Sequence, residues 1–299
     1  MRYLGGKAKT GKWIASIVEA CRVPGGLVVD MFCGALNVSR HLKSPRVAVD
    51  ACKPLITMWQ AAVGGWIPPS TLSYRDHRRI RRAPDPNDPV TAFAMFGCSY
   101  GGDWGCGFLH PDTEHNYVQE TGFSITRKAD MCRDLILICS DYRSFKTPPK
   151  GTVIYCDPPY SRTTGYDALP PFNSTEFWEI ARQWAEAGCT VLVSEENAPP
   201  GWVLVSSWDQ HHQVTKGKGT RRECIFLCDL NLRPAHVSYE SPSELREFAA
   251  PSKRGLGRFA CDLCGEVFWD DPPWSDVQEF YRDHAACSPG GSLHRIIAV

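Results

Sequence analysis

The sequence predicts an α/β fold, and three observations support this prediction. Short β-branched and aromatic runs indicate buried strands, and three of them end at or just before an aspartate: Leu27–Asp30, Arg46–Asp50 and Thr152–Asp157. A glycine turn and a helical pattern follow the first of these strands, as in a βα unit. In open α/β sheets ligands bind at the carboxyl ends of the strands, so this edge is the expected site.

Composition sets the outer bounds. The chain has 299 residues, 43% of them hydrophobic, so it can form one large domain with room for an appendage. Lysine and arginine total 33, as do aspartate and glutamate, so only local clusters could indicate nucleic acid. No apolar run has the length of a signal peptide or of a membrane span, so we expect a soluble, cytoplasmic protein. In a reducing cytosol, most of the 14 cysteines should be buried thiols.

The stretch TVIYCDPPY, Thr152–Tyr160, predicts a strand that ends in a stiff polar turn. Proline cannot continue a strand ladder, so Asp157 and Tyr160 should lie at the edge of the sheet. This unit suits a planar ring that carries an amino group. Tyr160 would stack on the ring, while Asp157 and the Pro158 carbonyl would accept hydrogen bonds from the amine and free its lone pair for attack. The alternative interpretation of this sequence is an ordinary strand end followed by a proline turn.

The opening of the chain resembles a cofactor site in pattern. The turn Met31–Asn37 joins the first strand to a predicted helix, Asn37–Leu42, and the second strand ends in Asp50. Strand, glycine turn and helix start are typical of nucleotide-type cofactor sites, and an acid after the second strand can bind ribose hydroxyls. Near the N-terminus, Gly5–Lys7 offers backbone N–H groups and a cation that suit a carboxylate or phosphate; a frayed terminus would fit equally.

Two basic runs are candidates for phosphate contacts. One is the helical segment Tyr74–Arg82, and the other is Lys216–Arg222, predicted as a flexible loop. The glycine-rich loop Gly101–Phe108 holds aromatic residues that could stack on bases or seal a core. Residues 60–130 are therefore interpreted as an inserted recognition region. A solvated helix face and a plain hairpin loop would give the same basic runs.

Residues beyond Tyr160 continue the α/β pattern. The polar loop Ser161–Pro171 is interpreted as a mobile lid. A helix with Ser174 as N-cap and Gly188 as C-cap follows. The remaining predicted strands are Leu135–Cys139, Cys189–Ser194, Trp202–Ser207 and Cys224–Leu230.

The last part of the chain changes character. Residues 231–257 are polar and proline-containing, which predicts a linker before a small module at 258–299. Four side chains there have the spacing of a structural zinc site, in which a cysteine pair is followed by a ligand-bearing helix. These candidate ligands are Cys261, Cys264, His284 and Cys287. Because so short a tail cannot build much core, metal would supply its folding energy; with 14 cysteines, chance spacing is the alternative.

Five motifs in this order resemble the Dam-type (D12 class) DNA adenine-N6 methyltransferases of bacteria and phages. They are YLGGK, VVDMFCG, VAVD, the pair Asp141–Tyr142 and IYCDPPY. The resemblance covers residues 1–230, and the tail lies outside it. It implies a Rossmann-like methyltransferase sheet, mostly parallel with one reversed strand near the end, with the insert at 60–130 as target-recognition region.

The resemblance also implies S-adenosylmethionine as cofactor and a flipped-out adenine of double-stranded DNA as substrate. The implied catalytic residues are Asp157, Pro158, Pro159 and Tyr160. The implied cofactor-binding residues are Tyr3, Lys7, Asp30, Phe32, Gly34, Asp50, Asp141, Tyr142 and Asp157. The candidate DNA-binding residues, taken from the basic runs and the N-terminal motif, are Arg2, Arg78, Arg79, Arg81, Lys216, Lys218, Arg221 and Arg222.

One position departs from the family pattern, and two other functions stay open. The family often has glycine where this chain has Leu36, which puts the geometry of the turn in question. An RNA guanine-N2 methyltransferase is one alternative, because DPPY occurs there too. A catalytically silent, zinc-containing DNA-binding protein is the other. The aspartate of DPPY favours adenine N6 over cytosine N4, where serine is usual.

Overall fold

A computed structural model describes residues 1–159, 172–214 and 217–230, together with three short strands of the tail. Two compact units are present, Met1–Arg233 and Pro234–Val299. In the second unit the strands Phe259–Cys261, Val267–Phe268 and Ile296–Ala298 form a small antiparallel sheet. The predicted lid at 161–171 and the predicted linker at 231–257 lie outside the described residues.

The first unit is organised by a seven-stranded sheet with the order β3-β2-β1-β4-β5-β7-β6. Strands β1 to β5 are parallel, and β7 runs antiparallel to both of its neighbours. A mostly parallel sheet with one reversed strand near its end confirms the predicted Rossmann-like methyltransferase fold class. The strands are β1 Val28–Met31, β2 Arg46–Asp50, β3 Ile136–Cys139, β4 Val153–Cys156, β5 Thr190–Glu195, β6 Trp202–Val214 and β7 Gly217–Cys228.

Helices surround this sheet, and those between residues 60 and 130 make up the predicted insert. The α-helices are α1 Gly11–Ala20, α2 Lys53–Val63, α3 Tyr74–Arg82, α4 Pro89–Ala92, α5 Tyr117–Met131 and α6 Ser174–Glu186. A π-helical turn spans Phe93–Gly97, and a 3-10 turn spans Tyr100–Gly102. No helix within the described residues is long and apolar enough to cross a membrane.

The central strands are buried along their whole length because helices cover both faces of the sheet. Val28 and Val153 pack with residues of α1 on one face. Their neighbours Val29 and Ile154 point to the other face and pack with residues of α6. This double burial explains why β1 and β4 are continuous apolar runs without alternation, and it fixes the position of the residues that follow them.

Three local expectations need correction. The helix predicted at Asn37–Leu42 is only a 3-10 turn, Ser39–His41, because Leu42 already has an extended backbone. The N-cap of α6 is Asn173, not Ser174: the Asn173 side chain accepts a hydrogen bond from the Glu176 amide at 3.2 Å. Residues 217–222, predicted as part of a flexible loop, belong to β7 and pair with β6.

Candidate active site

The centre of the site is the point where strand order reverses. Strand β1 continues to β2 on one side, while β4 continues to β5 on the other, so a crevice opens beyond the ends of β1 and β4. Asp157 follows β4 directly, and its backbone amide donates to the Met31 carbonyl at the end of β1, at 3.3 Å. Pro158 and Pro159 then turn the chain out of the sheet, as predicted from the sequence.

A buried lysine connects this point to the N-terminal segment. The Lys7 ammonium donates to the Asp157 carboxylate at 2.8 Å and lies 3.7 Å from the Glu223 carboxylate of β7. The Lys7 side chain is 1% exposed, Glu223 4% and Asp157 17%. Lys7 therefore contacts the residue that directly follows β4. Glu223 was missed; the available signal was a lone acid beside the apolar run Cys224–Leu227.

Asp30 lies beside this pair, inside β1. It is buried and accepts a hydrogen bond from the Ser39 hydroxyl. Burial raises the pKa of Asp30 from 3.8 to about 7, an effect that the nearby negative charges of Asp157 and Asp50 increase and the Ser39 bond opposes. Ser39 was also missed by the sequence analysis. Ser39 begins the 3-10 turn Ser39–His41, and from there its hydroxyl group reaches the Asp30 carboxylate.

Asp50 closes the end of β2 and holds the turn after β1. Its two carboxylate oxygens accept the backbone amides of Gly34 at 3.0 Å and of Cys52 at 2.9 Å. Burial raises the pKa of Asp50, and these two hydrogen bonds oppose the rise. Each oxygen keeps a second lone pair, so Asp50 can still accept a hydroxyl hydrogen.

The backbone of the turn after β1 shows which conformation Leu36 adopts at the position where glycine was expected. Three of its residues have left-handed backbones, Phe32 with φ 64°, Gly34 with φ 48° and Leu36 with φ 54°. Leu36 is fully buried, so core packing holds a leucine in the conformation that glycine would adopt without strain. Position 36 thus adopts a left-handed conformation without a glycine.

Two side chains of the surrounding helices fasten the same turn. Lys128 of α5 donates to the Ala35 carbonyl at 2.6 Å and to the Asn37 side-chain oxygen at 2.8 Å. The Trp59 indole of α2 donates to the Gly34 carbonyl at 2.9 Å. Lys128 is 3% exposed, and burial lowers its pKa from 10.5 to about 7. The sequence signal was a lysine on the apolar stripe of the segment that forms α5.

The N-terminal segment packs directly on this turn. A Cβ atom at Gly34 would lie 2.9 Å from the Tyr3 ring, so glycine is needed there for close approach as well as for its positive φ. The Leu4 amide donates to the Gly102 carbonyl at 3.1 Å, and a Cβ at Gly102 would lie 2.5 Å from the Tyr3 nitrogen. The glycine-rich loop of the insert therefore supports the N-terminal motif.

At the end of β3, the two predicted cofactor residues have different surroundings. Asp141 is 26% exposed, and its carboxylate lies 3.5 Å from the Arg143 guanidinium. Tyr142 is buried, and its ring lies 5.7 Å from the ring of Phe32. Phe172 and Phe177 complete this aromatic cluster. Tyr142 thus contacts the turn through Phe32, whereas Asp141 offers an accessible acceptor.

The candidate DNA-binding residues occupy three regions, which are the N-terminal segment, α3 and the β6–β7 hairpin, and the hairpin is described only in part. Arg78, Arg79 and Arg81 are exposed on α3. Arg2 stacks on the Tyr117 ring at 4.4 Å and lies 3.6 Å from Glu120. Arg222 donates to the Ser207 hydroxyl at 2.8 Å across the β6–β7 hairpin. Lys216 and the side chains of Lys218 and Arg221 lie outside the described residues.

The anchor of α3 is a histidine. His77 is buried and forms a 2.8 Å hydrogen bond with the Ser99 hydroxyl, which in turn donates to the Ala94 carbonyl at 3.1 Å. Burial lowers the pKa of His77. Together with the Ser73 N-cap, this bond orients the helix so that its arginines face solvent.

Other predicted site residues lie outside the described part of the chain. These are Tyr160, Cys264, His284 and Cys287; Cys261 is described only as backbone in the tail sheet. Among the described residues, no group of three or more histidine, cysteine, aspartate or glutamate side chains could hold a metal ion. The zinc site therefore stays a prediction.

The residues present fit a nucleoside cofactor with a cationic centre. Asp50 and Asp141 are acceptors at the ends of adjacent strands, as hydroxyl and amino groups of a nucleoside require. The turn between Phe32 and Leu36 is held in a left-handed conformation beside these acceptors, and the buried carboxyl group of Asp30 lies in the strand just before it. Among the described residues, these groups are the ones that would hold S-adenosylmethionine.

Comparisons with known proteins find distantly similar solved structures and no sequence family. No protein-family model and no curated protein matches the sequence. A Haemophilus influenzae protein described as a methylase is 9% identical, with 73% of this chain and 88% of that chain covered and a TM-score of 0.32. The 23S rRNA methyltransferase ErmE is 13% identical, with 82% and 75% covered and a TM-score of 0.38. At such scores, the fold assignment rests on the strand order and directions described above.

Proposed function

We propose that this chain is an S-adenosylmethionine-dependent methyltransferase that acts on N6 of a flipped-out adenine in double-stranded DNA, as the motif resemblance implies. The observation that carries the proposal is the Lys7–Asp157 pair. It joins the YLGGK and DPPY motifs, which are 150 residues apart, at the switch point of the sheet. Two motifs that the Dam-type family would require to meet are thus in contact.

The chemistry follows from the acceptors at this point. An aryl amine is a poor nucleophile because its lone pair is delocalised into the ring. Asp157 and the Pro158 carbonyl accept the amine hydrogens and draw the nitrogen towards a tetrahedral geometry, which frees the lone pair. Positioning and this electrostatic stabilisation supply most of the rate. S-adenosylmethionine, when bound, supplies the electrophilic methyl group. No covalent enzyme intermediate is required.

The proposed DNA contacts come from the insert and the N-terminal segment. The arginines of α3 would contact phosphates, because exposed guanidinium groups on a helix suit that role. Arg2 lies in the same chain segment as Lys7 and would approach the target base. Lys216, Lys218, Arg221 and Arg222 would add phosphate contacts from the β6–β7 hairpin.

We also propose that the tail binds one structural zinc ion through Cys261, Cys264, His284 and Cys287. Elemental analysis of the purified chain should find about one zinc per molecule. Substituting Cys261 and Cys264 by serine should remove it. Removal of residues 258–299, followed by separate measurements of DNA and cofactor affinity, would show whether the tail binds DNA. A zinc-free native chain would contradict the assignment.

A methylation assay tests the main proposal. The purified chain is incubated with S-adenosylmethionine and either unmethylated duplex DNA or RNA, and the digested nucleosides are identified by mass spectrometry. N6-methyladenine in the DNA is the expected product. Methylguanine in RNA alone would favour the RNA methyltransferase alternative. No methylated base, together with no cofactor binding by calorimetry, would favour the silent DNA-binding alternative.

A further inference from the structure

Glu223 is a buried charge beside the reacting region that the proposed catalytic roles do not use. It lies on β7, the reversed strand, which is paired with β5 on one side and β6 on the other. Its carboxylate is 4% exposed and lies 3.7 Å from the Lys7 ammonium. Lys7 is therefore in reach of two carboxylates, the nearer of which belongs to Asp157.

The formal charges of Lys7, Asp157 and Glu223 sum to −1 when all three side chains are ionised. Lys7 contributes one positive charge, while Asp157 and Glu223 together carry two negative charges when ionised. Asp30 is close enough to interact electrostatically with Asp157, and because burial raises its pKa to about 7 it carries only part of a negative charge at neutral pH. Among the described residues, Asp30 of β1, Glu223 of β7 and Lys7 of the N-terminal segment are charged groups near Asp157. Burial keeps their mutual interactions strong, because little water screens them.

We propose that Glu223 is a positioning residue that shares the Lys7 ammonium with Asp157 and so keeps Asp157 a strong hydrogen-bond acceptor towards the substrate amine. The inference rests on the proposed function for its link to catalysis. Without Glu223, the whole lysine charge would act on Asp157. The interaction between Lys7 and the Asp157 carboxylate would then be stronger, and Asp157 would be a weaker hydrogen-bond acceptor for the amine hydrogens.

A second consequence concerns the cation formed by methyl transfer. In methyl transfer the lone pair of the amine nitrogen would form the new N–C bond, and the C–S bonding pair would stay with the sulfur of S-adenosylmethionine. The nitrogen would then be positively charged and would lose one proton to solvent or to a carboxylate. A group with a surplus negative charge stabilises that cation. Glu223 contributes negative charge from a buried position 3.7 Å from the Lys7 ammonium.

The test uses the isosteric variant Glu223→Gln in the full chain. We expect kcat to fall about tenfold or more, while the S-adenosylmethionine dissociation constant changes less than about threefold. Removing the neighbouring negative charge should favour ionisation of Asp157. The acidic limb of the pH–rate profile should therefore move to lower pH by roughly one pH unit. Glu223→Asp, which keeps the charge, should restore part of the rate and return the limb towards higher pH.

Glu19→Gln is the matched control, because Glu19 is a glutamate in an ion pair with Arg22 at 3.2 Å and its carboxylate also accepts a hydrogen bond from the backbone amide of Lys43. It should leave both kcat and the pH profile unchanged. A purely structural role for Glu223 would lower stability and activity without moving the acidic limb. That result, or an unchanged kcat in Glu223→Gln, would overturn the proposal.

A measurement independent of turnover separates this inference from the proposed function. The Asp157 carboxyl carbon can be titrated by NMR in the wild type and in Glu223→Gln, with Asp157→Asn used for assignment. A lower midpoint in Glu223→Gln supports the sharing of Lys7 even if DNA is not the substrate. Equal midpoints would refute it even if N6-methyladenine is formed.

Discussion

The two charged regions of this protein differ in how their charges are held. At the ends of β1 and β4, Lys7 and Glu223 are almost fully buried and lie within salt-bridge distance of one another. On α3, the arginines face solvent, and Arg79 is 76% exposed although it lies 3.4 Å from Asp76. Buried charges depend on their partners for stability, whereas exposed charges are already stabilised by water.

This difference separates the two functions that we propose. The buried charges have fixed positions. Groups that must accept hydrogen bonds from one nitrogen atom need such fixed positions. Each exposed arginine contributes little to the free energy of unfolding, and its side chain can contact phosphates at many positions. Variants in the first region should therefore change stability and chemistry, and variants in the second should change salt-dependent affinity alone.

The largest effect is expected for Lys7→Met. It removes the cation that lies within salt-bridge distance of Asp157 and of the buried Glu223, and it should lower the free energy of unfolding by about 3–5 kcal/mol. Chemical denaturation measures the loss. Lys9→Met, which removes an exposed lysine two residues away, should change it by less than about 0.5 kcal/mol. Equal effects of the two variants would show that burial does not distinguish these lysines.

The pH dependence of stability tests the buried lysine of α5. Because burial lowers the pKa of Lys128 to about 7, the unfolded chain binds the additional proton above that pH. Raising the pH from 7 to 9 should therefore stabilise the wild type relative to Lys128→Met by about 2–3 kcal/mol. Denaturation curves at several pH values measure this difference. Parallel stability curves would contradict the assigned shift.

The left-handed turn predicts a smaller effect. At Leu36, with φ 54°, glycine should be more stable than alanine by about 1 kcal/mol, because alanine keeps the backbone strain and glycine does not. At Leu42, which is also buried but has φ −74°, the same comparison should favour alanine by about 0.5–1 kcal/mol. The four variants can be compared by denaturation. The same order at both sites would exclude a left-handed Leu36.

The smallest effect on the fold is expected on α3. Arg79→Ala should change the free energy of unfolding by less than about 0.5 kcal/mol, yet reduce the slope of DNA affinity against salt by about 1. Arg133→Ala is a close match, because Arg133 is also 76% exposed and pairs with an aspartate three residues before it. It should leave the slope unchanged. Equal slopes for both variants and the wild type would remove α3 from the interface.

Local sequence patterns predicted the parts of this molecule that depend on neighbouring residues. Strand β2 spans Arg46–Asp50, the range predicted for it, and β4 ends at Cys156, directly before the DPPY motif. The confirmed sheet explains why three strand-end acids meet, since parallel strands bring their carboxyl ends to one edge. Asp157 and Lys7 could be paired in advance only through the motif resemblance.

Contacts between distant segments were beyond these patterns. Glu223 approaches Lys7 only because β7 is inserted between β5 and β6, and no short-range signal carries that order. Lys128 interrupts an apolar stripe, which indicates burial but not its partner on the turn after β1. Residues 217–222 extend a hairpin because their backbone pairs with β6, although their sequence is polar and glycine-containing.

The most direct test of the account is the single-turnover rate of Asp157→Asn with duplex DNA, measured beside its S-adenosylmethionine affinity. Glu223 still balances Lys7 in this variant, so the fold should be retained. We predict a loss of at least about 10³-fold in rate, with the cofactor dissociation constant within about threefold of the wild type. Turnover close to that of the wild type would contradict the central role of Asp157.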